Sequence, residues 1–300
     1  MKKFEKYIQK IHHDFPDFTI SSIKKTGEGD NSKAFLINGN YIFRFPKRKE
    51  VKQQVAREAT VLPKIQPFLN LRIPQFEFIS PDISFVGYQI IPGTPLTLTI
   101  YNSLNKKKQA SIQQSIGNFL SQLHHIDSLI VRDCGLDTMN HREEYSDNFR
   151  EVQKIIFPHL SKNRRKIITK LFTDYLSDAT NFGYIPAIIH NDFSKDHILF
   201  DIENKKITGI IDFGDIAFGD PDYDLLYLLD EFGEDFLKGL FRIYKPKNRK
   251  GLIKKLYFFT LAIRLQGILG NKEDNESEDM KESYEDLNSW FKNFNTKINP

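Results

Sequence analysis

The sequence predicts a two-lobed α+β fold, with an N-terminal antiparallel sheet lobe that carries one helix and a larger, mainly helical C-terminal lobe. Short apolar runs separated by turn residues fill residues 1–92, and long amphipathic segments dominate residues 93–300. The segment Pro92-Gly93-Thr94-Pro95 interrupts the pattern between the two parts. Strands first and helices after, with a break between them, are typical of an α+β architecture. We therefore place the lobe boundary after residue 92.

The N-terminal lobe shows strand and hairpin signals. Ala34–Ile37 and Tyr41–Phe45 are rich in apolar residues and flank Asn38-Gly39-Asn40, a typical hairpin turn. Two further strands are expected at Pro74–Phe78 and Phe85–Ile91. One helix is predicted over residues 50–62, with Pro63 ending it, because apolar side chains recur there at helical spacing: Val51, Val55, Ala59 and Leu62.

The C-terminal lobe begins with helices and contains a short β interlude. Apolar residues at helical spacing predict long amphipathic helices over residues 112–126 and 167–176. Short apolar runs then predict strands at residues 188–190, 197–200 and 207–211, and a helical region resumes at Leu225. The interlude therefore lies inside a lobe that is otherwise helical.

Composition indicates an ordinary globular chain of the cell interior. The 300 residues are 40% hydrophobic and include one cysteine, Cys134, which has no partner for an intramolecular disulfide. The charged N-terminus lacks the apolar run of a signal peptide, and no stretch approaches the roughly 20 apolar residues of a membrane span. A net charge of +4 is a weak indication of nucleic-acid binding, and the basic run Lys245–Lys255 has no base-reading motif beside it. We expect a cytoplasmic chain without a membrane or nucleic-acid partner.

Two acidic segments carry the chemistry. The first reads HNDFSKDHILF over residues 190–200, and the second reads IIDFGD over residues 210–215. Each places a carboxylate directly after an apolar run, where a charge is costly unless a cation meets it. Phosphoryl transfer needs a carboxylate for the Mg²⁺ that neutralises a nucleoside triphosphate, and another to orient or deprotonate the acceptor hydroxyl. Asp192 suits the role of base, and Asp212 suits the role of metal ligand.

The same segments resemble a known family. The pattern His-x-Asp-x-x-x-x-His at 190–197, followed by Asp-Phe-Gly at 212–214, is similar to the eukaryotic-type protein kinase fold. The longer form, HNDFSKDHILFD with IIDFGDIAFGDPDYDL, resembles the aminoglycoside phosphotransferases, especially those that modify the 2″-hydroxyl. The resemblance runs from Gly27 to about Asp235. It implies a kinase-like enzyme that uses Mg²⁺ to move the γ-phosphate of GTP or ATP onto the 2″-hydroxyl of a cationic aminoglycoside, conferring antibiotic resistance.

The resemblance assigns the catalytic and metal roles to particular residues. Asp192 would be the catalytic base, and Asp212 would be the main Mg²⁺ ligand. His197 stands where most kinases have a metal-binding asparagine, and the 2″ group is similar to this sequence in having histidine there. The histidine is chemically unusual because Mg²⁺ prefers oxygen ligands.

The resemblance also implies a nucleotide site in the N-terminal lobe. The loop over the phosphates, without the third glycine of a kinase loop, would be formed by Gly27, Gly29, Asn31 and Ser32. Arg44 would grip phosphate where kinases usually carry lysine, with Lys47 as a possible substitute. Glu58, on the polar side of the predicted helix, would pair with that cation.

The base of the nucleotide would lie against the strand Phe85–Ile91. By the resemblance, backbone groups of Gln89 and Ile91 would bind the purine edge, and Tyr88 would stand at the back of the base pocket. A bulky tyrosine hinders the deeper adenine pose, so we expect GTP to be used at least as well as ATP.

Acidic residues are expected to bind the cationic acceptor, because several ammonium groups require carboxylates in an open cleft. By the resemblance, the main candidates are Asp230, Glu231 and Glu234, and Asp192 and Asp215 add to the same field. The remaining acidic residues of this region are expected to cap and brace the following helix: Asp220, Asp222 and Asp224.

Two alternatives stay open at this point. Another small-molecule kinase of the same fold, acting on choline, homoserine or a macrolide, would keep Asp192 and Asp212 but change the acceptor. A catalytically silent, nucleotide-binding regulator is the second alternative, and arginine at position 44 motivates it. In each case the chain binds a nucleoside triphosphate, and we expect it to act as a monomer.

Overall fold

The computed structural model describes residues 2–28, 31–247, 249–271 and 278–298. Its N-terminal part is an antiparallel sheet with one helix before the strands and one between them. In chain order the elements are α1 (Glu5–Asp14), β1 (Ile23–Glu28), β2 (Ser32–Ile37), β3 (Tyr41–Pro46), α2 (Lys49–Ile65), β4 (Phe76–Ile79) and β5 (Val86–Gln89).

The sheet of the N-terminal lobe has five strands in the order β1-β2-β3-β5-β4. The predicted hairpin is confirmed: β2 pairs with β3 across the turn at Asn38 and Gly39, both with positive φ. Phenylalanine rings fill one face of the sheet, and α1 covers them with the buried Ile11. Arg44 on β3 pairs in register with Val86 on β5, so it lies in a central strand. The sheet therefore holds Arg44 on a rigid support.

The C-terminal part is mainly helical, as predicted. Its helices are α3 (Leu98–Ser103), α4 (Lys106–His124), α5 (His141–Glu151), α6 (Lys162–Ser177), α7 (Leu226–Phe232), α8 (Glu234–Leu240), α9 (Leu252–Gly270) and α10 (Glu278–Ile298). Its strands are β6 (Thr94–Pro95), β7 (Ala187–Ile189), β8 (Ile198–Asp201), β9 (Lys206–Ile210) and β10 (Ala217–Gly219). In the part of the chain that the structure describes, no helix is long and apolar enough to cross a membrane.

Small antiparallel sheets deliver the two acidic segments to one place. Strand β8 pairs with β6 and β9, and β7 pairs with β10. The segment 190–197 runs from the end of β7 to the start of β8, and the segment 211–216 follows β9 and leads into β10. Because the flanking strands are fixed by hydrogen bonds, both segments are held at their ends.

Helix α2 is longer than the sequence predicts. Pro63 lies inside the helix, which continues to Ile65 rather than ending at residue 62. Val61, Leu62 and Ile65 are fully or almost fully buried, and they belong to the large hydrophobic core of the C-terminal lobe. Burial of these side chains offsets the backbone hydrogen bond that a proline cannot donate. Helix α2 thus joins the sheet to the helical lobe.

The chain crosses between the lobes through Gly93. Strand β5 ends at Gln89 in the N-terminal sheet, and β6 pairs with Phe200 and Leu199 of β8. Gly93 has φ +142°, and a side chain there would lie 2.9 Å from Oγ1 of Thr208. Glycine is therefore required at this crossing, on both conformational and steric grounds. This geometry is compatible with the boundary that we propose after residue 92.

Candidate active site

Asp192 lies on a loop that a buried histidine connects to the second acidic segment. His190 follows β7 and is fully buried. Its Nε2 donates a hydrogen bond to the carbonyl oxygen of Ile211 (3.0 Å), and its Nδ1 accepts one from the backbone N–H of Asp192 (3.3 Å). Since Ile211 precedes Asp212, one imidazole ring fixes the two loops relative to each other.

Asp224 anchors the beginning of the same loop by hydrogen bonds. Its Oδ2 accepts hydrogen bonds from the backbone N–H of His190 (2.9 Å) and from Nε2 of His124 (3.0 Å). Its Oδ1 accepts the backbone N–H of Asn191 (2.8 Å). We expected Asp224 to brace the following helix. Its carboxylate instead mainly anchors the loop that carries Asp192.

We expect Asp224→Asn to destabilise the fold and to slow catalysis. An amide has one oxygen where the carboxylate uses two, so its NH₂ group would face a backbone donor in a buried site. Such a mismatch costs about 1–3 kcal/mol, which urea unfolding can measure, and kcat should fall while the KM for nucleotide changes little. Asp147→Asn, at an exposed residue paired with Arg150 in α5, is the control and should match the wild type. An unchanged kcat in Asp224→Asn would contradict this account.

His197 lies between the two predicted catalytic carboxylates. Its Nδ1 donates to the backbone oxygen of Asp192 (2.8 Å) and lies 3.5 Å from Oδ2 of that residue. Its Nε2 lies 3.6 Å from Oδ2 of Asp212. Asp192 and Asp212 therefore share one cleft, as the sequence predicts.

The backbone on both sides of this histidine is unusual. Asn191 has φ 70° and Asp212 has φ 64°, values in the left-handed region that non-glycine residues rarely adopt. Asparagine and aspartate tolerate this region better than most residues. Such conformations cluster at functional sites, where surrounding contacts hold them in place.

The residues around Asp212 fit a Mg²⁺ ion. Because Nδ1 of His197 donates to a carbonyl oxygen, Nε2 of a neutral ring carries a lone pair, and it faces the carboxylate of Asp212. Two electron-rich atoms facing each other favour a cation between them. No complete cage of three or more His, Cys, Asp or Glu side chains occurs in the described ranges. Mg²⁺ sites in phosphotransferases need few protein ligands, because water and phosphate oxygens supply the others.

Arg44 and Glu58 form a buried ion pair at the roof of the cleft. Nη1 and Nη2 of Arg44 donate to the two carboxylate oxygens of Glu58 at 3.0 and 3.2 Å, and Nη2 lies 3.8 Å from Oδ1 of Asp212. Burial alone would lower the pKa of Arg44, but the carboxylates of Glu58 and Asp212 raise it above its ordinary value. The guanidinium is therefore charged and oriented toward Asp212.

The structure adds two details to the predicted cation site. Glu58 pairs with Arg44, as expected, and it is fully buried because this face of α2 packs over the cleft. Lys47 is an exposed residue that lines a different pocket beside α1, so it does not replace Arg44.

A cleft of about 380 Å³ lies between the sheet and the acidic loops. Its lining includes several of the predicted nucleotide and catalytic residues: Gly27, Asn31, Ser32, Arg44, Tyr88, Asp192, Asp212 and Asp215. Gln54 of α2 also lines it and donates through Nε2 to Oδ1 of Asp215 (3.0 Å). The cleft thus combines a cationic roof with an acidic floor.

Two further predicted nucleotide residues lie in β5 and just after it. Gln89 ends β5 and pairs with Tyr41, and the buried Ile91 follows it toward the lobe crossing. Gly29 lies outside the described residues. Tyr88 is buried next to Phe76, with ring centroids 5.7 Å apart, and burial raises its pKa to about 12. Its phenol is therefore neutral on the sheet side of the cleft.

The cleft acids differ from ordinary surface carboxylates. Burial raises the pKa of Asp192 above its ordinary value. Burial and the charge of Asp212 likewise raise the pKa of Asp215. A raised pKa makes a carboxylate a better proton acceptor near neutral pH.

The predicted acceptor-binding acids have partners within the chain. Asp230 pairs with Nη2 of Arg264 (2.7 Å) and Glu234 accepts from the hydroxyl of Tyr257 (2.7 Å). Glu231 accepts from both the backbone N–H of Lys195 (2.7 Å) and its Nζ (2.9 Å). Asp230 and Glu231 are thus paired with cations, whereas Glu234 is hydrogen-bonded to a neutral phenol.

Several residues that shape this site were not singled out for it from the sequence. His190 lies inside the recognised motif, but the motif does not indicate that its ring is hydrogen-bonded to the carbonyl oxygen of Ile211. Gln54 and Lys195 give no sequence signal, because their partners lie far away along the chain. Only the packing of α2 and α7 against the loops reveals them.

The fold and the paired acidic loops define a kinase-fold phosphotransferase, an enzyme that transfers phosphate to a hydroxyl group. A sequence model described as the phosphotransferase enzyme family matches residues 23–252. The chain belongs to this family.

Solved structures of family enzymes are similar over almost the whole chain. The GDP and kanamycin complex of APH(2″)-IIIa is 29% identical and superposes with a TM-score of 0.90, covering 96% of this chain and 99% of that one. The gentamicin complex of APH(2″)-IIa is 25% identical, with a TM-score of 0.77 and coverage of 94% and 95%. An uncharacterized protein of Bacillus subtilis (strain 168), YcbJ, is 22% identical over 68% of this chain and 67% of its own length.

Proposed function

We propose that this enzyme phosphorylates the 2″-hydroxyl of aminoglycosides and uses GTP at least as well as ATP. The observation that carries the proposal is the position of His197 between Asp192 and Asp212, beneath Arg44, in a single cleft. The similar enzymes that were solved with GDP and kanamycin or with gentamicin support the choice of donor and acceptor. Modification of the 2″-hydroxyl would confer resistance to the antibiotic.

In this proposal the chain positions both reactants. The backbone around Gly27, Asn31 and Ser32 covers the phosphates, and the loop includes Gly29. Arg44, oriented by Glu58, binds a phosphate oxygen. Charge-assisted guanidinium–phosphate hydrogen bonds are roughly twice as strong as neutral ones.

The proton and the metal have separate sites. Asp192 accepts the proton of the acceptor hydroxyl, and its raised pKa suits this task. Asp212 and His197 would hold Mg²⁺, which neutralises charge on the phosphate oxygens when bound. Gln89 and Ile91 offer backbone groups to the purine edge.

The acceptor would lie along the acidic side of the C-terminal lobe. Its ammonium groups would face Asp215, Asp230 and Glu234, with Asp192 at the reacting hydroxyl. Because ATP and GTP are plentiful inside cells, we propose the cytoplasm as the setting. We also propose that the chain acts as a monomer.

Product analysis tests the proposal. The protein is incubated with Mg²⁺, GTP or ATP, and kanamycin or gentamicin, and the position of the phosphate is read by ³¹P and ¹H NMR. The expected product carries phosphate on the 2″-hydroxyl. Phosphate on another hydroxyl would refute the regiochemistry, and the lack of any drug product would refute the acceptor.

One observation favours a second acceptor class. Arg264 and Lys195 neutralise part of the charge of Asp230 and Glu231, which leaves less negative potential for a polycation. A hydroxylated acceptor with a single positively charged nitrogen, such as choline or a macrolide, needs less negative potential than a polycation. Including choline and a macrolide in the same assay separates the two acceptor classes.

The donor preference gives a prediction about Tyr88. Tyr88→Ala opens the back of the base pocket, so we expect the ratio of kcat/KM for GTP to that for ATP to fall by roughly tenfold or more. Tyr88→Phe keeps the ring and is the matched control, with an unchanged ratio expected. A ratio that moves equally in both variants would assign the effect to the hydroxyl, and a strong ATP preference in the wild type would refute the expectation.

A further inference from the structure

Glu231 contacts the loop that carries Asp192 rather than open solvent. It lies near the end of α7 with 13% of its side chain exposed. Its Oε2 accepts the backbone N–H of Lys195 (2.7 Å), and its Oε1 accepts Nζ of the same residue (2.9 Å). Both carboxylate oxygens are therefore engaged by a single residue, three positions after Asp192.

The hydrogen bond from the backbone N–H of Lys195 to Glu231 satisfies a donor at the start of a helical turn. Lys195 begins a short 3₁₀ turn that ends at His197, and the first N–H groups of a helical turn have no partner within it. The side chain of Ser194, which precedes the turn, points instead toward Nδ1 of His197 (3.4 Å). Glu231 thus caps the turn from another helix.

Glu231 and Asp224 act on opposite ends of the same loop. Asp224 accepts the N–H groups of His190 and Asn191 at the beginning, and Glu231 accepts the N–H of Lys195 near the end. Asp192 lies between these anchors. The two acids are seven residues apart: Asp224 lies in the 3₁₀ turn 221–225, and Glu231 lies near the end of α7.

We propose that Glu231 is a positioning residue that acts on Asp192 through Lys195, and not a ligand of the acceptor's ammonium groups. The proposal rests on the phosphotransferase function proposed above and changes the role that the family resemblance gives to this residue. A carboxylate whose oxygens are both occupied offers little to a substrate, whereas its removal would release one end of the catalytic loop.

Two substitutions of Glu231 separate the alternatives. Glu231→Gln keeps an oxygen that can accept the N–H of Lys195 but removes the charge, so a positioning role predicts kcat and the KM for kanamycin within about threefold of wild type. Glu231→Ala removes the acceptor, so kcat should fall by about tenfold or more with little change in that KM. Lys195→Met keeps the backbone bond and should resemble Glu231→Gln.

Amide hydrogen exchange gives a second readout that needs no acceptor. Without nucleotide or drug, Glu231→Ala should speed exchange of a peptide spanning residues 193–198 by about tenfold, whereas Glu231→Gln and Lys195→Met should change it little. Asp235→Ala is the matched control, because this neighbouring carboxylate is 95% exposed and pairs only with Lys238 among the described contacts.

The outcomes separate the two proposals. If no aminoglycoside is phosphorylated by the wild type, the proposed function fails, but the exchange result still tests the anchor. An unchanged exchange rate in Glu231→Ala overturns the positioning role. A KM for kanamycin raised about tenfold in Glu231→Gln, with kcat unchanged, overturns it in favour of a substrate contact. If Glu231→Ala does not fold, kcat and the KM for kanamycin of Glu231→Gln decide between a positioning role and a substrate contact.

Discussion

Asp192→Ala is expected to lower kcat by about 10²–10⁴-fold, which is the range that general acid–base catalysis contributes. In the proposed mechanism this carboxylate accepts the proton of the acceptor hydroxyl, and His190 and Asp224 hold its loop in place. The proposed nucleotide contacts lie on the sheet side of the cleft. Nucleotide affinity, measured by isothermal titration calorimetry, should therefore change little.

The matched control for this variant lies in the same loop. Asp196 is four residues further on and its side chain is 62% exposed. Asp196→Asn should keep the wild-type kcat, so that a loss specific to Asp192 can be separated from a change in loop charge. A wild-type kcat in Asp192→Ala would show that Asp192 is not the catalytic base. Measurable turnover that disappears in this variant would also exclude the silent regulator.

Glu58→Ala is expected to lower the free energy of unfolding by about 3–5 kcal/mol, because it leaves the charge of Arg44 buried without its partner. Glu58 is fully buried, and only 14% of the side chain of Arg44 is exposed. The effect can be measured by urea unfolding. The same variant should lose activity, since Arg44 would no longer be held toward Asp212.

A double variant separates stability from function at this pair. Replacing a buried ion pair by apolar residues of similar size is often neutral for stability. Arg44→Met combined with Glu58→Leu should therefore recover most of the lost stability while activity stays low. Glu50→Ala, at an exposed position in the first turn of α2, is the control and should cost at most about 1 kcal/mol. A double variant as unstable as Glu58→Ala would refute this account.

Much of the candidate site could be predicted because its signals are local. The acidic residues that follow apolar strands mark where two chain segments leave the core, and Asp192 and Asp212 do meet around His197. The hairpin at Asn38 and Gly39 and the two-lobed fold were predicted from turn residues and helical spacing and are confirmed. These features depend on neighbours in sequence.

The failures involve contacts between distant segments. Pro63 suggested a helix end, but packing against the larger core extends α2 to Ile65. The pairing of Glu58 with Arg44 was expected, but the sequence does not show that this side of α2 covers the cleft and buries Glu58. The pairing of Glu231 with Lys195 and of Asp230 with Arg264 likewise depends on how α7 and α9 pack. Residue type alone could not distinguish substrate ligands from internal anchors.

The left-handed backbone at Asp212 affects how mutational surveys of this enzyme should be interpreted. Alanine at this position would remove a charge and also the short polar side chain that makes this conformation tolerable, which otherwise costs about 1–2 kcal/mol. Its phenotype would therefore mix chemistry with conformational strain. Asparagine tolerates the same dihedral angles, so Asp212→Asn isolates the charge. At Asn191, by the same reasoning, glycine is a milder replacement than alanine, and ranking variants by side-chain similarity alone would mislead.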